Sequence, residues 1–291
     1  MKREKILKIF NALSRRNFLN WIPDALYLKV KYRLVKGKHL NLKNPESFNE
    51  KLQWLKLHDR NPKYPKMVDK YLAKQYVADI IGEEYIIPTL GVWERFDDIG
   101  FEHLPEKFVL KCTHDSGGVV IVENKDTFDY EEAKKKIEKT LKKNFYWMGR
   151  EWPYKSVKPR IIAETYLDME DQDLCDYKLM CFNGKVKSTF VCSDRFSPKG
   201  LHITCYDEEW KRLPFKRSNP TSETEINKPG KYKEMVELAE KLSENIPFIR
   251  VDFYEVKGKV YFGELTLYPA SGLGEFSPKE WDYILGKWLK L

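Results

Sequence analysis

The sequence has few of the residues that cross-link small secreted domains or bind zinc. Its five cysteines, at positions 112, 175, 181, 192 and 205, show no CxxC spacing and are odd in number, and its five histidines stand far apart. We therefore expect neither a disulfide framework nor a zinc site.

The N-terminus also lacks the apolar core of a signal peptide, and no run of about twenty apolar residues exists to span a bilayer. These absences predict a cytoplasmic protein.

Two glycine motifs that bind nucleotide phosphates are absent as well. No glycine pair has the GxxxxGK[ST] spacing of a P-loop, and no GxGxxG follows a predicted strand. Any site for a triphosphate must therefore be built from other elements. The chain also lacks a persuasive Ser/His/Asp or Cys/His arrangement for a covalent nucleophile.

The composition is that of a folded protein of enzyme size. The 291 residues can bury a substantial core, and 42% of them are apolar and 14% aromatic, which excludes a disordered chain. The formal net charge of +8 favours anionic partners, but nucleic acid, a membrane surface, phosphorylated ligands and acidic glycans all fit it. The basic residues are dispersed among 44 acidic ones, so nucleic acid is not expected. A non-catalytic binder of acidic polymer stays open as an alternative.

The first 45 residues combine lysine and arginine with apolar residues in a pattern typical of amphipathic helices. Two interpretations fit this segment. It docks on an anionic membrane surface or glycan, which would bring the protein to the inner face of the membrane, or it forms a helical cap on the main body.

Local signals predict alternating helices and strands after this segment. Ser47 and Glu50 form a capping box that starts a helix, and a second helix is predicted from Val68 to about Ile81. Further helices are predicted at 130–144 and 232–243, and a polar surface excursion at 207–231. Strands are predicted at 85–90, 108–111, 119–122, 160–164, 176–182, 186–193, 251–256 and 260–265. Asn183-Gly184 is the strongest hairpin signal among the connections.

A lysine and a glycine-rich turn form the first candidate phosphate contact. Lys111 ends an apolar strand, and the Ser116-Gly117-Gly118 turn follows it. Glycines let backbone N–H groups approach a phosphate closely, so this hairpin fits a phosphate lid. A plain turn fits the same residues.

The last predicted hairpin carries charged residues among apolar ones. Strand periodicity puts Arg250 and Asp252 on one face, and Glu264 and Thr266 on one face of its partner. An odd-length loop would pair Asp252 with Glu264 and Arg250 with Thr266, whereas a two-residue turn would put them out of register. Two facing carboxylates repel unless a cation lies between them, and Mg²⁺ held by carboxylates and phosphates is the natural solution. A solvated sheet face is the alternative.

Asp176 and Lys178 share one face of a separate predicted strand. Together with the hairpin they would line a cleft with phosphate-binding cations and metal-binding anions. An ordinary surface strand is the alternative.

The order of these elements resembles the ATP-grasp superfamily, and more closely its branch similar to the teichuronopeptide-biosynthesis protein TupA. The similarity runs from about Asn44 to Gly274 and is carried mainly by Arg250-Val-Asp-Phe and by Glu264-Leu-Thr-Leu-Tyr-Pro-Ala-Ser-Gly. It implies an α+β fold of two α/β lobes with antiparallel sheets that enclose a nucleotide cleft, plus N-terminal helices. The implied segments are a basic helical segment at 1–45, a small α/β lobe at 46–105, a lid lobe at 106–170 and a C-terminal lobe with the metal site at 171–291.

The resemblance implies that Lys70 and Lys111 contact ATP phosphates, with the turn at 116–118 in a mobile lid. Glu164 would contact the adenine amino group while the backbone near Tyr166 and Leu167 reads the adenine edge. Asp176 would face the ribose or the phosphates, and Lys178 the terminal phosphate.

The resemblance also implies a metal site in which Asp252 and Glu264 bind Mg²⁺. Arg250 would stabilise charge that develops as an activated acyl group is attacked. The superfamily pattern usually ends Glu-x-Asn, whereas this chain has Thr266 in the last position. A hydroxyl is a weaker ligand than an amide oxygen, so the number of Mg²⁺ ions, one or two, stays open.

The implied activity is an ATP-dependent carboxylate-amine ligase that joins an amino acid to a uronic acid or peptide in capsule or cell-wall glycan assembly. Arg195, Lys199, Lys211 and Arg212 are candidates for selecting an anionic acceptor. A glycosyltransferase that uses a nucleotide sugar is the alternative enzyme class, since Asp171-Gln172-Asp173 meets the Asp-x-Asp pattern formally.

Overall fold

The structure is a computed structural model that describes residues 2–115, 117–168, 175–194 and 200–291. Within these ranges the α-helices are α1 (Lys2–Arg15), α2 (Asp24–Lys36), α3 (Phe48–His58), α4 (Tyr64–Val68), α5 (Leu72–Ile81), α6 (Tyr130–Leu141), α7 (Tyr146–Gly149), α8 (Tyr232–Leu242) and α9 (Glu280–Trp288). The strands are β1 (Thr89–Trp93), β2 (Phe108–Cys112), β3 (Val119–Val122), β4 (Ile161–Thr165), β5 (Asp176–Phe182), β6 (Lys185–Ser193), β7 (His202–Tyr206), β8 (Phe248–Val256) and β9 (Lys259–Thr266).

Two antiparallel sheets organise these elements. The four-stranded sheet has the order β1-β4-β2-β3, and the five-stranded sheet has the order β7-β6-β5-β8-β9. Each sheet has its own apolar core, and the larger core surrounds the five-stranded sheet. The expected α+β class with antiparallel sheets is confirmed. The division into four segments stays a prediction, and β1, from segment 46–105, pairs with β4 of the next segment.

The predicted capping box starts α3. The Ser47 hydroxyl accepts a hydrogen bond from the Glu50 backbone N–H at 3.3 Å, and the Glu50 carboxylate accepts one from the Ser47 N–H at 3.2 Å. Two otherwise unpaired donors of the first turn are satisfied in this way. The helix then buries Phe48, Leu52 and Leu55 in the larger core.

The prediction of one helix from Val68 to Ile81 is wrong at its start. Helix α4 ends at Val68, and the Asp69 carboxylate accepts hydrogen bonds from the backbone N–H groups of Tyr71 and Leu72 at 2.9 and 3.2 Å. A side chain that bonds these N–H groups begins a new helix, as an N-terminal cap does. Lys70 therefore lies in a bend, where its N–H donates to the Thr113 carbonyl at 2.9 Å.

Two further differences concern strands. The strand predicted at 85–90 begins at Thr89, because Glu83–Tyr85 forms a 3₁₀ turn first. Strand β7 (His202–Tyr206) was not predicted, and it pairs with β6 at the edge of the larger sheet. The Asn183-Gly184 hairpin is confirmed between β5 and β6.

The last hairpin has the predicted register, but an odd-length loop is not its cause. Its connection is the two-residue turn Lys257-Gly258, since Val256 pairs with Lys259. A bulge then shifts the register so that Asp252 pairs with Glu264 and Arg250 with Thr266. The extra residue is Gly263, where an added Cβ would lie 2.9 Å from the Tyr254 ring and 3.2 Å from the Asp252 carbonyl oxygen. The expectation that a two-residue turn would separate the carboxylates is therefore wrong, because a bulge adds one residue to one strand.

The N-terminal helices pack on the main body as a cap. The Tyr27 hydroxyl donates to the Met148 carbonyl at 3.2 Å, and the buried Arg150 guanidinium lies over the Tyr27 ring and donates to the Leu19 carbonyl at 2.7 Å. Within the described ranges, no helix is long and apolar enough to cross a membrane.

Candidate functional site

A cleft of about 1400 Å³ lies between the two sheets. Its walls come from β2, β3 and β4 on one side and from β5, β8 and β9 on the other. The cleft brings together most of the side chains predicted to form the site: Lys70, Lys111, Glu164, Tyr166, Leu167, Asp176, Lys178, Arg250, Asp252 and Glu264. Gly117, Gly118 and Thr266 are not among the described lining residues, and Ser116 lies outside the described part of the chain.

One wall of the cleft centres on a buried carboxylate between two lysines. Glu164 is on β4, and one of its oxygens accepts from Lys111 on β2 while the other accepts from Lys74 on α5 at 2.6 Å. Burial alone would raise the pKa of the Glu164 carboxyl, but the Lys111 and Lys74 ammonium groups outweigh burial and lower that pKa. Glu164 is therefore held in its charged form.

Sequence reasoning missed Lys74. Burial lowers the pKa of its ammonium group, and the nearby Glu164 carboxylate opposes this effect. The sequence spacing could have indicated that Lys74 is buried, because Lys74 lies three residues before Val77 and seven before Ile81 on the same buried face of α5. A lysine on the apolar face of a helix needs a buried partner.

The opposite wall carries a row of alternating charges on neighbouring strands. The Lys178 ammonium on β5 donates to Asp176 and to Asp252 at 2.5 Å each. Strand β5 pairs with β8 so that Lys178 is directly across from Asp252. Burial raises the pKa of Asp176, whereas the paired cations outweigh burial and lower the pKa of Asp252.

Arg250 extends this row to the last strand. Its guanidinium donates from Nε and Nη2 to the two Asp252 oxygens at 2.6 and 2.7 Å, and Nη2 lies 3.4 Å from a Glu264 oxygen. Burial alone would lower the pKa of Arg250, but Asp252 and Glu264 outweigh it and raise that pKa. The cation between the facing carboxylates is thus a guanidinium.

Lys70 links the row to the hairpin between β2 and β3. Its ammonium donates to the Asp115 carbonyl and lies 3.7 Å from a Glu264 oxygen. The bend that ends α4 therefore brings a lysine over the metal-site carboxylate predicted on β9.

The glycine turn between β2 and β3 has two described glycines, Gly117 and Gly118, and only Gly118 is closely packed. An added Cβ at Gly118 would lie 2.8 Å from both Cys112 Sγ and Thr140 Cγ2, whereas at Gly117 it would meet only Asp115 at 3.7 Å. The Gly118 N–H also donates to the Asp115 carboxylate at 3.2 Å. Gly118 is therefore required by close packing, and Gly117 leaves open space in the turn.

The carboxylates of the hairpin fit a Mg²⁺ ion that also binds phosphate. Among the described residues, no group of three or more Asp, Glu, His or Cys side chains could hold a metal alone. Asp252 and Glu264 face each other in register, and the Thr266 hydroxyl lies 3.3 Å from a Glu264 oxygen on the same face. Mg²⁺ commonly binds through one or two carboxylates plus phosphate oxygens, so this donor set suits it.

Only two of the residues considered for acceptor selection or sugar transfer, Lys211 and Arg212, lie in the described part of the chain. Lys211 is exposed and pairs with Glu209 at 2.5 Å, and Arg212 donates to the Ser222 carbonyl at 2.8 Å. Neither is among the residues that line the cleft. Asp171, Asp173, Arg195 and Lys199 lie outside the described residues.

Replacement of Glu164 with glutamine should destabilise the protein at pH 7 by about 3 kcal/mol, because the buried Lys74 would lose its charge partner. The lowered pKa of Glu164 means that its contribution is complete above the unfolded-chain pKa of about 4.3 and is lost as the pH falls below it. The difference in unfolding free energy from the wild type should therefore shrink in acid. Urea unfolding followed by circular dichroism measures both quantities.

Glu94→Gln is the matched control, because Glu94 pairs with Lys158 on the surface and both side chains are 61% exposed. An exposed pair contributes about 0–1 kcal/mol. Equal losses in the two variants at pH 7, or a Glu164→Gln loss that does not change in acid, would contradict the account of this wall.

Comparison with known proteins places the chain in a family. A family model described as TupA-like ATPgrasp matches residues 50–290. A search of curated protein sequences found no match.

Several solved structures are similar at low identity. D-alanine–D-alanine ligase from Bacillus anthracis complexed with ATP is 17% identical, with 69% of this chain and 54% of that chain covered and a TM-score of 0.40. D-alanine–D-alanine ligase from Helicobacter pylori is 15% identical, with 84% of this chain and 70% of that chain covered and a TM-score of 0.41. The ATP-grasp ligase PsnB complexed with minimal precursor, Mg and ADP is 11% identical, with 75% of this chain and 57% of that chain covered and a TM-score of 0.40.

These likenesses are distant, and the chain spans only 54% of the Bacillus anthracis ligase and 57% of PsnB. The assignment therefore depends on the family model, which matches most of the chain. The chain belongs to the TupA-like ATP-grasp family.

Proposed function

We propose that this protein uses ATP and Mg²⁺ to activate a carboxylate and join it to an amine. The observation that carries the proposal is that cations from both sheets face the paired carboxylates of the last hairpin in one cleft. Membership of the TupA-like ATP-grasp family supports it.

The cations of the cleft would hold the triphosphate. Lys70 and Lys111 reach it from the lid side and Lys178 from the larger sheet, where Lys178 would meet the terminal phosphate. The backbone at Gly117 and Gly118 would contact the phosphates. Ammonium groups in a partly buried cleft bind phosphate oxygens strongly because water screens them poorly.

The adenine and ribose would lie toward β4 and β5. Glu164 would accept from the adenine amino group, while the backbone at Tyr166 and Leu167 reads the adenine edge. Asp176 would face the ribose or the phosphates. The Lys111 and Lys74 bonds to Glu164 keep its carboxylate ionised and oriented for this contact.

Asp252 and Glu264 would hold Mg²⁺, with Thr266 as a weaker additional ligand. When bound, the ion would offset negative charge on the phosphate oxygens. Arg250 remains between the two carboxylates and would stabilise the negative charge that develops on the acyl oxygen.

The chemistry consists of two displacements that need no covalent protein intermediate. A carboxylate oxygen attacks the γ-phosphorus of ATP, the bond to the bridging oxygen breaks, and ADP leaves with the electron pair. The amine nitrogen then attacks the acyl carbon, the carbon–oxygen bond to phosphate breaks, and the nitrogen loses a proton as phosphate leaves. The protein contributes alignment, charge stabilisation and exclusion of water.

For the substrates, we propose a uronic acid or peptide carboxylate and an amino acid, in the assembly of capsule or cell-wall glycan. The net charge of +8 favours an anionic acceptor of this kind. This assignment depends on the resemblance to the TupA branch.

We also propose that the N-terminal helices contact an anionic membrane surface. Seven large apolar side chains of α1, α2 and their connection are exposed: Ile6, Ile9, Leu13, Phe18, Trp21, Leu26 and Val30. Residues 1–36 contain ten basic residues against Glu4 and Asp24. Exposed apolar groups flanked by lysine and arginine are typical of helices that lie in the membrane interface.

The nucleotide tests the function most directly. Titration calorimetry should show Mg²⁺-dependent binding of ATP and no binding of UDP-glucose. Lys111→Met should weaken ATP binding by at least about tenfold, because a charged contact to phosphate is lost. Lys158→Met is the control, since Lys158 is exposed and pairs with Glu94.

Ligase chemistry is then tested by trapping. With ATP, Mg²⁺, hydroxylamine and a panel of uronic and amino acids, an acyl phosphate would be captured as a hydroxamate. Preference for UDP-glucose with indifference to Lys111→Met would contradict the proposal and favour the glycosyltransferase alternative.

Membrane contact is tested by sedimentation with vesicles of phosphatidylcholine alone or mixed with phosphatidylglycerol. Ile9→Asp combined with Trp21→Ser should weaken binding to the anionic vesicles by at least about tenfold, because each apolar side chain contributes roughly 1.5–3 kcal/mol when buried. Ile80→Asp, at an exposed isoleucine of α5, should leave binding to the anionic vesicles unchanged. Equal binding by all three proteins would contradict this surface.

A further inference from the structure

A second pocket of about 230 Å³ opens beside the cleft. Lys178 and Arg250 line both spaces, so the pocket and the cleft meet across these two side chains. The pocket is walled on its far sides by Phe190, by the segment Arg217, Ser218 and Asn219, and by Pro269 and Ala270. A group bound there would lie next to the side chains that are proposed to meet the terminal phosphate.

The charge of Arg217 distinguishes this pocket. Lys178 and Arg250 are already matched by Asp176, Asp252 and Glu264. Arg217 forms no hydrogen bond or ion pair within the described part of the chain, and burial lowers the pKa of its guanidinium. The Asp282 carboxylate opposes this effect without a hydrogen bond or ion pair to Arg217, and an anionic ligand would supply a directly bonded counter-charge.

Aromatic rings fix the orientation of Arg217. Its guanidinium lies 4.3 Å from the centre of the Phe276 ring and 5.7 Å from that of Phe190. Stacking of this kind leaves the edge of the guanidinium available for two parallel hydrogen bonds to a planar anion. A carboxylate fits that fork, and so does a phosphate.

The wall at Pro269 and Ala270 is held in an uncommon backbone conformation. Ala270 and Ser271 have positive φ angles of 50° and 54°. The fully buried Lys56 ammonium donates to the Ser271 carbonyl at 2.9 Å and to the Gly149 carbonyl at 2.7 Å, and Gln53 donates to the same Ser271 carbonyl. Non-glycine residues in this region cost on the order of 1–3 kcal/mol and persist where surrounding contacts hold them. The pocket is therefore built by dedicated contacts.

We propose that this pocket binds the acceptor and that Arg217 pairs with one of the acceptor's carboxylates. The proposal rests on the proposed ligase function, which requires a carboxylate next to the terminal phosphate. It adds a residue from the polar excursion between β7 and α8 to the substrate site. The expected ligand is a small carboxylate such as a uronic acid or an amino acid, because the pocket has about 230 Å³.

The test uses the full chain saturated with Mg²⁺ and ADP, titrated with D-glucuronate, L-glutamate or inorganic phosphate in a calorimeter. At least one of the two carboxylates should bind the wild type. Arg217→Met should weaken that binding by at least about tenfold, and Arg217→Lys should restore little of it, because lysine lacks the bidentate fork. The affinity for Mg²⁺-ADP should stay within about twofold in each variant.

Lys216→Met is the matched control. It removes one positive charge from the adjacent position, and the Lys216 side chain is exposed and does not line the pocket. Its carboxylate affinity should equal that of the wild type. Thermal unfolding of each variant verifies that the fold is retained.

The alternative outcomes each overturn the assignment. Equal carboxylate affinity in the wild type and Arg217→Met would do so, as would failure of both carboxylates to bind. Phosphate binding that depends on Arg217 without carboxylate binding would make the pocket a phosphate site. Failure of the wild type to bind Mg²⁺-ADP would contradict the proposed function instead, so the two failures are distinguishable.

Discussion

The arrangement of the cleft depends on the need to pair buried charges. Asp252 has 2% relative exposure and would not stay ionised there without cations in contact. Lys178 supplies one cation from the neighbouring strand, and Arg250 supplies another from the same strand. Since pairing lowers the pKa of Asp252, the carboxylate is held in its charged form at neutral pH. A phosphate-bound Mg²⁺ would enter a row of charges that is already ordered.

A bulge connects this electrostatic constraint to the backbone. Without the extra residue at Gly263, the two-residue turn of the last hairpin would place Asp252 opposite position 263. The bulge brings Glu264 into that position and leaves Thr266 opposite Arg250. Bulges often occur beside functional sites, where they direct a side chain toward a ligand. One residue therefore determines whether two carboxylates face each other.

Local signals predicted most of the helices and strands and many of the cleft residues, whereas contacts between residues distant in sequence were harder to predict. The capping box at Ser47 and the hairpin at Asn183-Gly184 depend on neighbours within three residues, and both formed as predicted. Period two assigned Arg250 and Asp252 to one face of β8 and Glu264 and Thr266 to one face of β9, but the pairing of Asp252 with Glu264 depends on the bulge. The bulge at Gly263 and the stacking of Arg217 on distant phenylalanines depend on tertiary packing, which strand periodicity does not encode.

The central claim is that the carboxylates of the last hairpin bind a divalent ion together with ATP. Electron paramagnetic resonance with Mn²⁺ in place of Mg²⁺ measures this directly, because the signal of the Mn²⁺-ATP complex changes when the protein binds it. Glu264→Gln should weaken binding of Mn²⁺-ATP by at least about tenfold, since one charged ligand is lost. The surface variant Glu94→Gln should bind as the wild type does. Unchanged binding by Glu264→Gln would contradict the claim.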